Sequence, residues 1–129
     1  MKRHGMFLIE LAVAGVLLLA LTALCVKYFA ATAAQRRALD QRQAALVEAG
    51  NVMERIDAVA WGDLSAERLS KIALSPETKL ALPEGELKID LGNEDAKPAA
   101  KRITVTIRWQ DNEGRWTQPV RLVAWRYQR

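Results

Sequence analysis

Few side chains in this sequence could support catalysis. The 129 residues contain one histidine, His4, and one cysteine, Cys25. Ser-His-Asp and Cys-His nucleophile systems and His-ligated zinc sites all need a histidine near other reactive groups, and residues 5–129 contain none. A single cysteine also excludes an intrachain disulfide. We therefore expect a protein that is not an enzyme and that needs no cofactor.

The acidic residue with the most unusual surroundings is Glu10. It is the one charged residue between Met6 and Val26. A charged side chain costs about 2.5–3.5 kcal/mol at the centre of a membrane helix, and less near an end. Two interpretations follow. Either Glu10 lies shallow and extends to the membrane surface, or it pairs with a cation inside a protein assembly.

The run around Glu10 is predicted to form a transmembrane helix over residues 6–27. About 20 apolar residues, each rising about 1.5 Å, cross about 30 Å of hydrocarbon. Lys2 and Arg3 precede the run, and basic residues favour the cytoplasmic side. We expect a single-pass protein of the inner membrane with a cytoplasmic N-terminus and a periplasmic head.

A cleavable secretory signal is the alternative interpretation of this run. Ala31-Thr32-Ala33 offers a small-x-small cleavage pattern. However, the run is longer than the usual apolar region of about 7–15 residues. It also retains an acid near its start, which a removable signal does not need.

The residues at the start of the run carry a family resemblance. Lys2-Arg3-His4-Gly5 followed by Met6-Phe7-Leu8-Ile9-Glu10 resembles the type IV prepilin signal. The resemblance implies a leader at 1–5, a prepilin peptidase that cuts after Gly5, and methylation of the new amino terminus on Met6. It also implies that Glu10, the fifth mature residue, pairs with the amino terminus of a neighbouring subunit. Met6 and Leu8 depart from the commonest residues of the signal, and both keep the site apolar.

Residues 28–60 are predicted to continue the helix. They contain no proline and are rich in strong helix formers. An apolar stripe of period about 3.5–3.6 consists of Leu39, Leu46, Met53 and Ala60 with Ala49 and Ile56 between them. We expect this stripe to pack on the head, with Leu46 and Ile56 in the core, and the helix to end at Ala60.

The head, residues 61–129, shows helix caps followed by strand alternation. Ser65 is predicted to cap a short helix ending at Leu74, and Ser75-Pro76 to begin another. Alternation of period two predicts antiparallel strands near 87–91, 102–109 and 120–127, with a loop over 92–100 and a hairpin turn at 111–114. These elements predict an α+β fold in which a long N-terminal helix packs on a small antiparallel sheet. This arrangement resembles that of pilins, whose long helix carries a small globular head.

The last 29 residues could suggest a nucleic-acid partner. Residues 101–129 hold seven basic and two acidic residues together with Trp109, Trp116, Trp125 and Tyr127, a composition that can bind single strands. Strand alternation explains it more simply, with arginines on the solvent face and tryptophans in the core or across the hairpin. We favour an acidic neighbouring pilin as the partner. Asp90, Asn93 and Asp95 lack EF-hand spacing, so no metal site is expected.

The family resemblance implies a structural function. The chain is similar to small minor pseudopilins of the I or V type, which serve type II secretion or type IV pilus systems in a filament tip or initiation complex. Its implied partners are the prepilin peptidase, other pilins or pseudopilins, and the inner membrane. Two alternatives stay open: a DNA-uptake pilin that binds DNA through the basic C-terminal face, and a signal-anchored periplasmic protein unrelated to filaments.

Overall fold

The structure, a computed structural model, describes residues 3–95 and 99–128. The chain divides into two compact units, Met1–Arg37 and Ala38–Arg129, here called the N-terminal and C-terminal units. The described elements are, in chain order, α1 (Arg3–Asp57), a 3₁₀ turn (Trp61–Asp63), α2 (Ala66–Leu69), α3 (Pro76–Ala81), β1 (Glu86–Glu94), β2 (Ala100–Arg108) and β3 (Val120–Tyr127).

The N-terminal unit is the first part of α1. Its side chains from residue 5 to residue 31 are all exposed, and the helix is long and apolar enough to cross a membrane. The hydroxyls of Thr22 and Thr32 donate to the carbonyls of Leu18 and Tyr28 at 2.8 and 2.9 Å. Its two threonine hydroxyls are therefore satisfied within the helix, as an apolar surrounding requires.

In the C-terminal unit, α1 buries a face that differs in part from the predicted one. The buried residues are Ala45, Glu48, Ala49, Val52 and Ile56. Ile56 is a core residue as predicted, but Leu46 is 50% exposed and Leu39 is 67% exposed. The predicted stripe is correct for Ala49 and Ile56 and wrong for Leu39 and Leu46, because Ala45 and Glu48 occupy the buried face, where a search for large apolar residues finds no signal.

Helix α1 ends at Asp57, three residues before the predicted Ala60, which is extended with φ −61° and ψ 147°. Two cations from the sheet bind carbonyls near this end: Arg126 at the last turn of α1, and Lys101 at the 3₁₀ turn that follows. Lys101 Nζ donates to the carbonyls of Trp61 and Leu64, both at 3.1 Å. The Arg126 guanidinium donates to the Ile56 carbonyl in the last helical turn and to the Val59 carbonyl just after the helix. Positive charge at a helix C-terminus satisfies its free carbonyls and opposes the helix dipole.

Two short helices follow, each with a serine cap. The Ser65 hydroxyl accepts from the Arg68 N–H at 3.2 Å, but α2 ends at Leu69 and not at the predicted Leu74. Ser75 caps α3 and Pro76 takes the first helical position, which confirms that prediction. Both caps place a side-chain oxygen on an N–H group that the helix leaves unpaired.

The three strands form one antiparallel sheet in the order β1-β2-β3. Side chains of β2 on one face are buried against α1, namely Ile103, Val105 and Ile107. We call the opposite side of the sheet the outer face. Strand β3 begins and ends where predicted, whereas β1 continues to Glu94 through part of the predicted loop. The α+β fold, a long N-terminal helix packed on a small antiparallel sheet, is confirmed.

Candidate functional site

The residues of the prepilin-like signal lie at the start of α1. Met6 and Glu10 are four residues apart in one helix, so their side chains are neighbours on one side of it. Both are exposed. A Cβ atom added to Gly5 would meet no heavy atom within 4 Å. No packing among the described residues therefore requires glycine at position 5.

Glu10 presents its carboxylate on an apolar helix surface. Phe7, Val13 and Leu17 are exposed neighbours on successive turns. None of the ion pairs among the described side chains includes Glu10. A carboxylate in hydrocarbon is stabilised by a cation or by the water interface. Glu10 thus has no cationic partner among the described side chains, and both interpretations of this carboxylate stay open.

The outer face of the sheet carries the basic residues that the sequence concentrates near its end. Arg108 Nε donates to Glu86 Oε2 at 2.7 Å, and Arg102 lies 3.9 Å from Glu94. The prediction that the arginines face solvent is correct for these two and for Arg121. Because acidic residues of β1 pair with Arg102 and Arg108, the positive potential left for a polyanion is lower than the composition suggests.

Arg126 and Trp125 depart from the predicted arrangement. Arg126 points to the helix side of the sheet and binds carbonyls at and after the end of α1, and Lys101 beside it binds carbonyls in and after the 3₁₀ turn. Trp109 is buried as predicted and its Nε1 donates to Gln41 Oε1 at 3.3 Å. Trp116 packs across the hairpin with the Arg108 guanidinium 4.3 Å from its ring centre. Trp125, in contrast, is 51% exposed on the outer face, so its predicted core position is wrong.

A buried carboxylate that the sequence did not reveal joins α1 to α3. Glu48 is 2% exposed. It accepts hydrogen bonds from the Ser75 N–H at 2.8 Å, the Ser75 hydroxyl at 3.1 Å, the Thr78 hydroxyl at 3.2 Å and Arg55 Nη2 at 3.1 Å. Burial acts to raise the pKa of Glu48, but these hydrogen bonds and the Arg55 charge together hold it below its ordinary value. The cap at Ser75 was visible in the sequence, but its partner 27 residues away was not.

Among the described residues, no group of three or more His, Cys, Asp or Glu side chains could hold a metal ion. Asp90 lies 3.4 Å from Lys88, and Asn93 belongs to strand β1. Comparisons of the chain with protein-family models, curated proteins and solved structures found no match. The function is therefore inferred from the residues and their geometry.

Proposed function

We propose that this chain is a structural subunit of a type II secretion or type IV pilus system, a minor pilin or pseudopilin. In this proposal the chain is cut after Gly5 and held in the inner membrane by a single pass of α1. Its C-terminal unit lies in the periplasm and takes part in a filament tip or initiation complex. The observation that supports this most is the position of Glu10. It lies one helical turn after Met6 in an apolar helix that runs without a break to Asp57.

Cleavage after Gly5 would create the missing partner of Glu10. The new α-amino group on Met6 is a cation at the membrane surface, and a neighbouring subunit would present the same group. An amine and a carboxylate each lose hydration in a low dielectric, and pairing between subunits offsets that loss. A polar group that fixes register in this way is known from other helical assemblies. The pair would set the axial position of one subunit against the next.

The C-terminal unit supports a binding role more than a catalytic one. Among the described residues, every buried side-chain nitrogen or oxygen has a hydrogen-bond partner. Glu48, the buried carboxylate, is occupied by a helix cap and an arginine. A general acid or base must be able to reach a substrate proton, and this carboxylate is enclosed by its own partners.

Mass spectrometry of the N-terminus tests the proposal. The chain is expressed in full in cells with and without a prepilin peptidase, and the membrane fraction is analysed. We expect a start at an N-methylated Met6 that depends on the peptidase. Gly5→Val should block cleavage, and Gly15→Val is the matched control, since added Cβ atoms at both positions meet nothing within 4 Å. A start at Ala34 would indicate a secretory signal, and an intact Met1 an uncleaved anchor; either result overturns the proposal.

A further inference from the structure

Strand β3 has one edge that β2 does not occupy. The Gln128 N–H donates to the Ala99 carbonyl at 3.0 Å. This bond shows which residue pairs of the β2–β3 ladder are hydrogen-bonded and which are not. Because hydrogen-bonded and non-hydrogen-bonded pairs alternate in an antiparallel ladder, every second residue of β3 directs its N–H and C=O away from β2. These residues are Arg121, Val123, Trp125 and Tyr127. β1, the other outer strand, is contacted by α2.

A cleft of about 450 Å³ lies between the helix and β3, on the helix side of the sheet. Its strand side includes Leu122 and Ala124, and its helix side includes Gly50, Met53, Glu54 and Asp57. The base of the cleft is apolar, and its helix wall carries two carboxylates. The Asp57 side chain is 80% exposed although it lies 3.8 Å from Arg126. The cleft can therefore take apolar side chains, and cations beside them.

We propose that this cleft and the β3 edge accept an extended segment of another protein as a fourth strand. Backbone groups of Arg121, Val123, Trp125 and Tyr127 would bind the backbone of the segment. Added strands gain affinity from such main-chain bonds and specificity from alternate side chains. The segment side chains that face α1 would be basic or apolar, because Glu54 and Asp57 form that wall. The inference uses only the C-terminal unit and does not depend on the proposed pilin function.

A second copy of this chain is the competing occupant of the edge. Symmetrical pairing of β3 with itself would be antiparallel about a twofold axis perpendicular to the sheet and would make the chain a dimer in micelles. A dimer that the peptide probe disperses would overturn the proposal of a strand from another protein. Pairing with β1 of a second copy would have to accommodate α2, which contacts that strand.

Peptide binding to the full chain in detergent micelles tests this inference. The probe is a fluorescent peptide of about eight alternating Lys and Val residues, the length of an ordinary strand. N-methylation of one alternating set of residues should weaken binding about tenfold, and methylation of the other set should not, because only one set bonds to β3. With Lys facing Glu54 and Asp57, loss with methylated Val would indicate antiparallel addition, and loss with methylated Lys parallel addition. Equal effects of both sets, or no binding, would overturn the proposal.

Variants of the chain locate the binding. Gly50→Phe should fill the cleft and weaken binding about tenfold or more, while Asn51→Phe, an exposed neighbour on the same helix, should leave it unchanged. A Cβ at Gly50 meets no atom within 4 Å, so the fold should tolerate the change. Glu54→Lys should weaken binding of the Lys-Val peptide and strengthen binding of a Glu-Val peptide. If Gly50→Phe and Asn51→Phe behave alike, or if Glu54→Lys changes neither peptide, the cleft is not the site.

Discussion

Glu10 and Glu48 lie on the same helix in surroundings that disfavour a bare carboxylate. Glu48 is enclosed by Ser75, Thr78 and Arg55, which together complete its hydrogen bonds. Glu10 stands on an apolar surface and forms no ion pair with the side chains that the structure describes. The first carboxylate thus holds the chain to itself, and the second is suited to hold it to another chain.

Glu10→Gln should reduce assembly without affecting the C-terminal unit. The substitution keeps the shape of the side chain and removes its charge, so the helix should insert in the membrane at least as easily. Under the proposed function, it removes the partner of a neighbour's amino terminus. We expect crosslinking to other pilins in membranes to fall, while the membrane level and the melting temperature stay near those of the parent. Undiminished crosslinking would mean that Glu10 only extends to the membrane surface.

Glu48 should make the stability of the C-terminal unit depend on acid pH. In the folded chain the pKa of Glu48 is below its ordinary value. Its contribution to the free energy of unfolding is therefore complete above the unfolded pKa of about 4.3, and it is lost as the pH falls through the folded pKa. Glu48→Gln should lower the free energy of unfolding at pH 7 by about 1–3 kcal/mol. It should also reduce the stability that the protein loses between about pH 5 and pH 3, the interval around the unfolded pKa of about 4.3. Urea unfolding followed by tryptophan fluorescence measures both effects.

The control for this comparison is Glu54→Gln, an exposed carboxylate six residues further along the same helix. It should leave both the stability at neutral pH and the acid dependence close to those of the parent. A Glu48→Gln protein that loses as much stability in acid as the parent would show that other carboxylates carry the pH dependence.

At the scale of elements, the two sides of α1 in the C-terminal unit should tolerate the same substitution very differently. Ile56 is fully buried against the sheet, whereas Leu46 is half exposed. Ile56→Asp places a charge without a partner in the core and should cost at least about 3 kcal/mol. Leu46→Asp should cost less than about 1 kcal/mol, as surface changes do. Thermal melting of both variants checks the assignment, and equal losses would contradict the observed helix face.

Elements that local pattern determines were predictable from the sequence. Strand β3 and the Ser75-Pro76 cap follow from period-two alternation and from capping chemistry, which act over a few residues. The buried face of α1 was predictable only in part: Ala49 and Ile56 belong to the predicted stripe, but Ala45 and Glu48 are buried without adding a strong apolar signal. Strand alternation directs Lys101 and Arg126 to the helix side, but the carbonyls that they bind lie more than 35 residues away in the chain, so no local pattern identifies those partners.

The candidate site was predictable in part for a similar reason. The spacing of Gly5, Met6 and Glu10 is a local signal, and it stays a prediction about processing and assembly. The cleft beside β3 was not predictable, because the helix and the strand that form it are about 70 residues apart in the sequence. Ile56 and Arg126 show this separation. Surfaces formed by distant segments become visible only when the fold is known.

At the scale of the whole molecule, the buried core belongs to the C-terminal unit alone. Its members run from Ala45 to Val120. A chain that begins at Thr32 should therefore fold, remain monomeric and leave the membrane fraction, with a melting temperature within a few degrees of the full chain's. Light scattering and thermal melting test this together. Aggregation or a broad, low transition would show that residues before Thr32 contribute to the stability of this unit.

The contact of Arg126 with the end of α1 has a consequence for the order of folding. Arg126 is 70 and 67 residues from Ile56 and Val59, the carbonyls to which it donates. Helix formation takes about a microsecond or less, but contacts this distant must await closure of a large loop. During synthesis the helix emerges first and its end stays open until β3 has left the ribosome. The apolar half of α1 can thus enter the membrane well before the rest of the chain has completed its core.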